Sequence, residues 1–492
     1  MGVVRRQGIK QSIVTYSGIM VGGLSSFFVY PLEKEAYGLV QFVLSTAVLA
    51  VPFTLLGTPN VAIRFFPEFK HDRGHHGLFP TLLLAFGVGF FLLALLSFLL
   101  QDVIEGALPA QSDFLGYWQY ALPLVFFMAL SKLLAMYTAN FQRIAVPEIF
   151  VSLLPKVGLP VLILLVYFDY FTWDQLLLGV LSLYALGSVF LLVYLHGLGE
   201  LRLQFDPKFW TRERSRRVIN FGLYGVLGGW SSIIAQRLDI FMVGVMTGQA
   251  GKVSVYVIAA FMADVIDVPR RAILNISGPL ISRAWTENDQ AYLRQIYRQS
   301  SLVQFIFGWL IFGGTWLCLD ALFDIMTRGD DFRAGKYVVL LLGIAKVTDM
   351  ITGVNTAIIG NSPYYRFNLV AVILLAVLNI VNNYLFIPIL DIEGAALATL
   401  LSVTLFNLMK GLFIWFKLRM HPFQRATGYV LLLGLASYGI TALLPTSSIP
   451  LLEILMRGGM FTGLFMGSIL YFEVSPEVSD IWSKWTQKVR NR

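Results

Sequence analysis

The apolar residues of the chain are grouped in runs of about twenty, separated by short polar segments. A run of ~20 mostly apolar residues is what an α-helix needs to cross the hydrocarbon core of a bilayer. Fourteen such runs are present, at residues 9–30, 37–58, 78–100, 118–140, 148–168, 172–195, 218–245, 251–275, 301–325, 335–359, 365–387, 393–416, 427–445 and 450–472. The pattern predicts an all-α polytopic membrane protein with about fourteen transmembrane helices, here called spans 1 to 14.

Composition supports the bilayer as the solvent of these helices. Of the 492 residues, 57% are hydrophobic and only 13% are charged, whereas soluble domains carry about 25% charged residues. The first run lacks a convincing small-residue cleavage site, so we interpret it as a retained span and not as a secretory signal. The single cysteine, Cys318, excludes an internal disulfide and is interpreted as a small buried hydrophobe.

The net charge of +8 is distributed unevenly among the segments between the spans. Most Lys and Arg residues lie at the two ends of the chain or after even-numbered spans, and the largest group lies in residues 196–217. The opposite segments are poor in cations and partly acidic, as in QDVIEG at 101–106. This positive-inside pattern predicts an even number of spans and two cytoplasmic termini. It indicates attraction to anionic membrane lipids, and no aromatic-interleaved basic groove indicates nucleic acid.

An internal repeat relates the two halves of the chain. The stretch VGGLSSFF at 21–28 recurs as LGGWSSII at 227–234, and MYTANFQRIAVPEIF at 136–150 corresponds to GVNTAIIGNSPYYRF at 353–367. Six spans per copy is an even number, so the copies are predicted to be parallel, with a pathway between them. We therefore predict a six-helix lobe at 1–215, a second at 216–425, extra helices 13 and 14 at 426–472, and a cytoplasmic tail at 473–492.

Several charged residues fall inside predicted spans, where each costs at least ~2.5 kcal/mol on insertion scales and should face a partner or a wet cavity. Lys346 and Asp349 are three residues apart on one face of span 10 and can pair. Asp267 and Arg271, four apart in span 8, can also pair. Lys132 in span 4 lies at the depth of Lys346 when the repeats are superposed. For both pairs, an ion pair that only fixes helix packing is the alternative to a site.

Other charged residues have less obvious partners. Arg237 and Asp239 are two residues apart in span 7 and cannot face each other, so at least one needs a partner elsewhere. Arg64 lies at the cytoplasmic end of span 2, where an interfacial arginine is the alternative to an entry contact. Lys410 and Arg457 are expected to snorkel from span ends. Cations at mid-depth in a pathway suit an anionic substrate such as a phosphate.

The sequence HDRGHH at 71–76 places three histidines in a basic segment. Such a cluster can bind a metal, but no carboxylate or cysteine frame completes a site. We therefore interpret the segment as a solvated loop and expect no metal.

One stretch carries a family resemblance. Residues 353–402 combine a polar turn, Asn379-Ile380, Asn383, Ile387-Pro388 and the segment GAALAT at 394–399. In this combination the stretch resembles the signature region of Wzx-type polysaccharide flippases. This family belongs to the multidrug/oligosaccharidyl-lipid/polysaccharide exporter superfamily, which also contains lipid II flippases and multidrug extruders. The segment DIE at 391–393 departs from the usual glycine, which we expect to alter only the turn between spans 11 and 12.

The resemblance implies two lobes around a cationic cavity and a secondary transporter of the bacterial inner membrane. Its implied work is to flip an undecaprenyl-diphosphate-linked oligosaccharide from the cytoplasmic to the periplasmic leaflet by alternating access, for O-antigen or other surface polysaccharides. Helix by helix, it implies the cavity residues Arg64, Lys132, Arg237, Asp239, Arg271, Lys346 and Asp349. It also implies a lipid-tail groove along spans 13 and 14, and an association with polysaccharide polymerase machinery.

Two other functions are weighed against this one. A cation-coupled multidrug extruder of the same fold would favour acids over cations at its cavity. A membrane-embedded glycan polymerase or ligase needs positioned acid/base groups, usually on a substantial periplasmic loop, and the outward segments here are short. No Walker-type GxxxxGK[ST] motif occurs, so we expect a Na⁺ or H⁺ gradient, or the membrane potential, as the driver, with no cofactor and no catalytic residue.

Overall fold

The computed structural model describes residues 2–71 and 75–490. All regular structure in these ranges is helical, and every predicted span falls on one or two helices. The predicted all-α architecture is therefore confirmed. The chain forms two compact units, Met1–Ser254 and Val255–Arg492.

The first unit is built around a helix that packs on three others. Its helices are α1 (Gly2–Phe28), α2 (Lys34–Leu55), α3 (Thr58–Phe69), α4 (Leu78–Leu99), α5 (Gln101–Ala107), α6 (Ala121–Ala139), α7 (Ala145–Glu148), α8 (Leu154–Tyr167), α9 (Trp173–Gly197) and α10 (Arg212–Thr247), followed by α11 (Ala250–Asp264), which continues into the second unit. Packing of α2 on α4, α6 and α10 buries Leu39, Val40 and Val43 completely. Left-handed conformations at Leu56 and Gly57 end α2, so span 2 continues as a separate helix, α3.

The second unit has its core around α13. Its helices are α12 (Val268–Thr286), α13 (Gln290–Leu317), α14 (Leu319–Ile325), α15 (Lys336–Ile351), α16 (Asn355–Gly360), α17 (Tyr365–Leu418), α18 (Arg425–Ala442), α19 (Pro450–Glu453), α20 (Gly459–Tyr471) and α21 (Pro476–Arg490). Helix α13 packs against α12, α15, α18 and α20. Phe305, Ile306, Phe461 and Phe465 fill the space between these helices.

Two spans of this unit are broken, and polar residues lie at or next to the breaks. Span 8 consists of α11, a single 3₁₀ turn at Val265–Asp267, and α12. Span 10 changes direction at Gly353, with φ of 68°, between α15 and α16. A helix break leaves backbone groups unpaired, and in a membrane these groups must be satisfied by neighbours. The Ser301 hydroxyl does this by donating to the Ile351 carbonyl over 2.5 Å.

Helix α17 is an antiparallel hairpin that contains spans 11 and 12. Asp391 is non-helical, with φ of 56° and ψ of −133°. The Asn379 amide donates to Thr399 Oγ1 over 3.3 Å, and the Asn382 amide donates to Ser402 Oγ over 3.0 Å. Twenty residues of straight helix extend ~30 Å, so these bonds require the chain to reverse at Asp391. The asparagines therefore join the two helices of the hairpin.

Eight segments of the described chain are long and apolar enough to cross a membrane, by length and composition. They contain spans 2 to 6, 9, 11 with 12, and 14. Spans 1, 7, 8, 10 and 13 are not among these eight segments. Spans 8 and 10 both carry several charged side chains and are divided by the breaks described above. Spans 8 and 10 together carry Asp264, Asp267, Arg270, Arg271, Lys346 and Asp349.

Candidate functional site: a charge network within the second unit

The centre of the network is Arg270, in the first turn of α12. Its guanidinium bonds Asp267 through two nitrogens, one of them 3.1 Å from Asp267 Oδ2. A third nitrogen lies 3.0 Å from Asp349 Oδ2, at the end of α15. The planar guanidinium presents several N–H donors in a fixed fork, which suits it to hold two carboxylates at once. Arg270 therefore fastens the break in span 8 to the end of α15.

Two further cations surround this centre. Arg271 Nε lies 3.1 Å from Asp267 Oδ2, so the predicted Asp267–Arg271 pair is present. Lys346 does not pair with Asp349, contrary to the sequence expectation, and its Nζ lies 2.6 Å from Asp264 Oδ1 instead. Spacing of three residues permits a pair on one helix, but the break in span 8 places carboxylates of a neighbouring helix within reach of Lys346.

Buried amides extend the network from Asp349. Asn407 Nδ2 donates to Asp349 Oδ1 over 2.9 Å, and its Oδ1 accepts from Asn355 Nδ2 over 2.9 Å. Thr352 Oγ1 also lies 3.0 Å from Asn407 Oδ1. Asn355 and Asn407 are 2% and 1% exposed, so their hydrogen bonds replace those that water would otherwise make.

The network ends at Lys410, which is completely buried. Its Nζ donates to Thr356 Oγ1 over 2.5 Å and lies 3.9 Å from the centre of the Phe406 ring. The expectation that Lys410 snorkels is therefore wrong. Lys410 is eight residues before Leu418, or ~12 Å along the helix, and its side chain is directed into the unit. The sequence does contain a signal for this inward direction. Asn407 and Lys410 are three residues apart in an apolar run, so their side chains share one face of the helix.

The whole network contains four cations and three carboxylates. The cations are Arg270, Arg271, Lys346 and Lys410, and the carboxylates are Asp264, Asp267 and Asp349. Of the sequence-predicted site residues, the structure brings together Arg271, Lys346 and Asp349. Arg270 and Lys410 are not among the site residues predicted from the sequence. A net positive charge remains on the network when all its groups are ionised.

The remaining candidates, Arg64, Lys132, Arg237 and Asp239, lie in the first unit. Arg64 is exposed on α3, and Lys132 is half-buried on α6. Arg237 and Asp239 are half-buried on α10, and the Arg237 guanidinium interacts electrostatically with the buried phenol of Tyr37 and the half-buried phenol of Tyr184. Within the described part of the chain, Arg64, Lys132 and Arg237 have no carboxylate at ion-pair distance.

The histidine segment binds the polar stretch between α9 and α10. His75 Nε2 lies 3.0 Å from Glu200 Oε2, and His76 Nδ1 lies 2.9 Å from Asp206 Oδ2. His75 is 4% exposed, so the interpretation of a solvated loop is wrong for that residue. The hydrogen bond from His76 holds the pKa of Asp206 below its usual value. Among the described residues no group of three potential metal ligands occurs. Residues 72–74 of the histidine segment are not among the described residues.

Comparison with known proteins relates the chain to transporters through its fold. No protein-family model and no curated protein matches the sequence. The lipid II flippase MurJ, in an inward closed conformation, aligns with a TM-score of 0.73 and 12% identity over 94% of this chain and 100% of MurJ. An inward-facing multidrug resistance MATE transporter of the MOP superfamily aligns with a TM-score of 0.63 and 16% identity over 83% of this chain and 98% of that one. A MOP superfamily transporter from Pyrococcus furiosus gives 0.50, with 15% identity over 85% and 95%.

The fold is that of MOP superfamily transporters. The protein is accordingly a multi-pass membrane protein, and the solved structures named above are a lipid II flippase and two transporters. Identities of 12–16% establish the fold alone. The substrate must be inferred from the residues of this chain.

Proposed function

We propose that the protein is a secondary transporter that flips an undecaprenyl-diphosphate-linked oligosaccharide from the cytoplasmic to the periplasmic leaflet by alternating access. The observation that carries the proposal is the excess of cations over carboxylates in the network of the second unit. Ionisable groups inside transmembrane segments mark substrate or ion pathways by default. A surplus of cations favours an anionic substrate. The similarity to MurJ, whose solved structure is that of a lipid II flippase, supports a lipid-linked one.

Arg271 is the residue best placed to bind a diphosphate. Asp267 holds its Nε, whereas its two terminal nitrogens make no hydrogen bond to any described residue. The side chain is 63% exposed. An arginine held at Nε presents its remaining N–H groups in the geometry that suits phosphate oxygens. Lys346, with a side chain that is 31% exposed, adds a second cation near the same acids.

An apolar cavity beside span 13 fits a segment of the lipid tail of such a substrate. It has a volume of about 310 Å³ and lies between α13, α15 and α18. Its walls include Trp309, Phe312, Ile344, Val347 and Leu431. An isoprenoid chain has no polar atoms that such walls would leave unpaired. Of spans 13 and 14, along which the resemblance implies a tail groove, span 13 lines this cavity together with spans 9 and 10.

The remaining parts of the proposal concern energy and setting. Transport is driven by a Na⁺ or H⁺ gradient in the bacterial inner membrane, with both termini in the cytoplasm. The product would pass to polysaccharide polymerase machinery for surface polysaccharide synthesis. A multidrug extruder is the second candidate, favoured by the fold shared with MATE transporters, but its cationic substrates would be repelled by the surplus positive charge.

The test is translocation of a fluorescent undecaprenyl-diphosphate oligosaccharide in proteoliposomes. We expect Arg271→Gln, Lys346→Ala and Lys132→Ala each to lower the initial rate at least about tenfold, equivalent to ~1.4 kcal/mol. Arg283→Gln is the matched control, because Arg283 is also on α12 but forms an exposed pair with Glu287. Wild-type rates in all three variants would remove the support for a cationic site. Export of a cationic dye without lipid translocation would favour the extruder.

A further inference from the structure

Lys410 is the one network cation with no carboxylate at ion-pair distance in the described part of the chain. The three other cations each touch at least one aspartate. Lys410 is nevertheless the most buried of the four, with an exposure of 0%. A lysine ammonium inside a membrane protein is costly to keep charged, and such groups serve as proton or ion relays. Unlike arginine, lysine can lose its proton in a buried site.

The surroundings of Lys410 suit both of its protonation states. The ammonium donates to the Thr356 hydroxyl and lies over the Phe406 ring, which stabilises a cation. Among charged groups, Asp349 on α15 attracts it and Arg270 on α12 repels it. Helix α16, which supplies Thr356, carries no titratable side chain. A neutral amine could instead accept the Thr356 hydroxyl proton, because a hydroxyl both donates and accepts.

The proton on Lys410 fixes the direction of the hydrogen bonds that lead to Asp349. With Lys410 donating, the Thr356 hydroxyl donates to Asn355 Oδ1 over 3.1 Å. The Asn355 amide then donates to Asn407 Oδ1, which leaves the Asn407 amide to donate to Asp349. If the Thr356 hydroxyl turns toward a neutral Lys410, Asn355 Oδ1 loses its donor, and the buried amides lose the arrangement that supports Asp349.

We propose that Lys410 is a proton-binding site that couples the transporter to a proton gradient. Release of the Lys410 proton to the aqueous phase removes the surplus positive charge of the network, reverses the Thr356 hydrogen bond and loosens Asn407 from Asp349. The Asp349–Arg270 bond, which joins α15 to α12, is then free to rearrange. The role in transport rests on the proposed function; proton binding itself does not.

Transport in proteoliposomes tests the coupling. We expect a pH gradient to accelerate translocation of the lipid-linked oligosaccharide by the wild type several-fold. Lys410→Met should translocate the lipid at the same rate with and without the pH gradient. Lys410→Arg keeps a permanent charge, so its rate should also not change with the gradient. Lys417→Met, at an exposed position of the same helix, should keep the full response. Acceleration of Lys410→Met or Lys410→Arg to the wild-type extent would overturn the proposal.

A substrate-free measurement separates this proposal from the proposed function. Spin labels at Tyr337→Cys on α15 and Trp415→Cys on α17, two exposed positions, report distances within the second unit after Cys318→Ala removes the native thiol. We expect the distance distribution to change between about pH 6 and pH 9 in the wild type and to stay constant in Lys410→Met and Lys410→Arg. This result without lipid translocation would reject the flippase and retain the proton site. The proton site would be rejected if the distance distribution of the wild type did not change with pH. It would also be rejected if the distributions of the two Lys410 variants changed with pH as that of the wild type does.

Discussion

The Arg270 guanidinium on α12 lies 3.0 Å from the Asp349 carboxylate on α15. This contact joins the two broken spans of the second unit at the positions where their helices are interrupted. The side chains are 27% and 26% exposed, so the pair is neither fully buried nor freely solvated. It differs in this from the charge pairs on polar surface segments, such as Arg333 with Asp330, whose carboxylate is 91% exposed.

We expect Asp349→Asn to destabilise the second unit by about 1–3 kcal/mol, between the cost of losing a surface ion pair and that of leaving a buried charge unpaired. The new amide can still accept from Asn407, so loss of the charge on Asp349 is the main change. The midpoint of thermal unfolding in detergent measures the effect. Asp330→Asn is the control and should change the free energy of unfolding by less than about 0.5 kcal/mol. Equal midpoints for the two variants would contradict the structural role of the pair.

The close approach within the α17 hairpin gives a second prediction. A Cβ atom on Gly394 would lie 2.2 Å from the Phe386 carbonyl oxygen, whereas a Cβ on Gly411 of the same helix would meet nothing within 4 Å. We expect Gly394→Ala to force the two helices apart at a cost of about 1–3 kcal/mol, and Gly411→Ala to be neutral or slightly stabilising because alanine favours the helix. Yield and monodispersity on size-exclusion chromatography check both. Wild-type yield and monodispersity of Gly394→Ala would show that the two helices of the hairpin can separate at Gly394 without cost.

Sequence reasoning reached the fold, the hairpin and part of the site. The lengths of the apolar runs predict the spans because the thickness of the bilayer fixes the length of a span. The pairing of Asp267 with Arg271 follows from their spacing of four residues. Partners on different helices could not be predicted in this way. Lys346 and Asp349 satisfy the spacing rule, yet each binds a residue of the span 8 segment. Helix breaks such as the 3₁₀ turn at Val265–Asp267 determine which side chains of neighbouring helices meet. The positions of such breaks cannot be predicted from an apolar run.

The histidine contacts predict a pH dependence in a polar segment outside the spans. A carboxyl whose pKa is lowered in the folded protein, as for Asp206 beside His76, stabilises the fold above its unfolded pKa of about 4, and the contribution is lost as the pH falls through the lower folded value. We expect hydrogen exchange of residues 200–211, corrected for intrinsic rates, to accelerate below about pH 4. Asp206→Asn should already exchange faster at pH 7 and respond less to acid.

Two variants check the cause of that effect. His76→Phe keeps a ring against Phe209, which now stacks on His76 with centroids 3.9 Å apart, but removes the hydrogen bond to Asp206. It should reproduce the exchange of Asp206→Asn. Glu213→Gln, an exposed acid in the first turn of α10, should exchange like the wild type. Wild-type protection in His76→Phe would mean that ring stacking, and not the hydrogen bond, holds the segment.

The apolar cavity of the second unit gives the last prediction, because one of its walls is a glycine with open space. A Cβ on Gly428 would meet no atom within 4 Å, and Gly428 lines the cavity together with Thr427 and Leu431. Gly428→Leu should therefore fill the space without straining the helix and should weaken binding of an undecaprenyl lipid about tenfold, which corresponds to ~1.4 kcal/mol. Gly439→Leu is the matched control, since Gly439 is on the same helix, has equally open space and does not line the cavity.

Binding is measured by microscale thermophoresis with a fluorescent undecaprenyl diphosphate in detergent. A short-chain diphosphate should bind both variants equally, because it lacks the part of the substrate that the new leucine displaces. Equal loss for the long and short lipids would place the tail elsewhere.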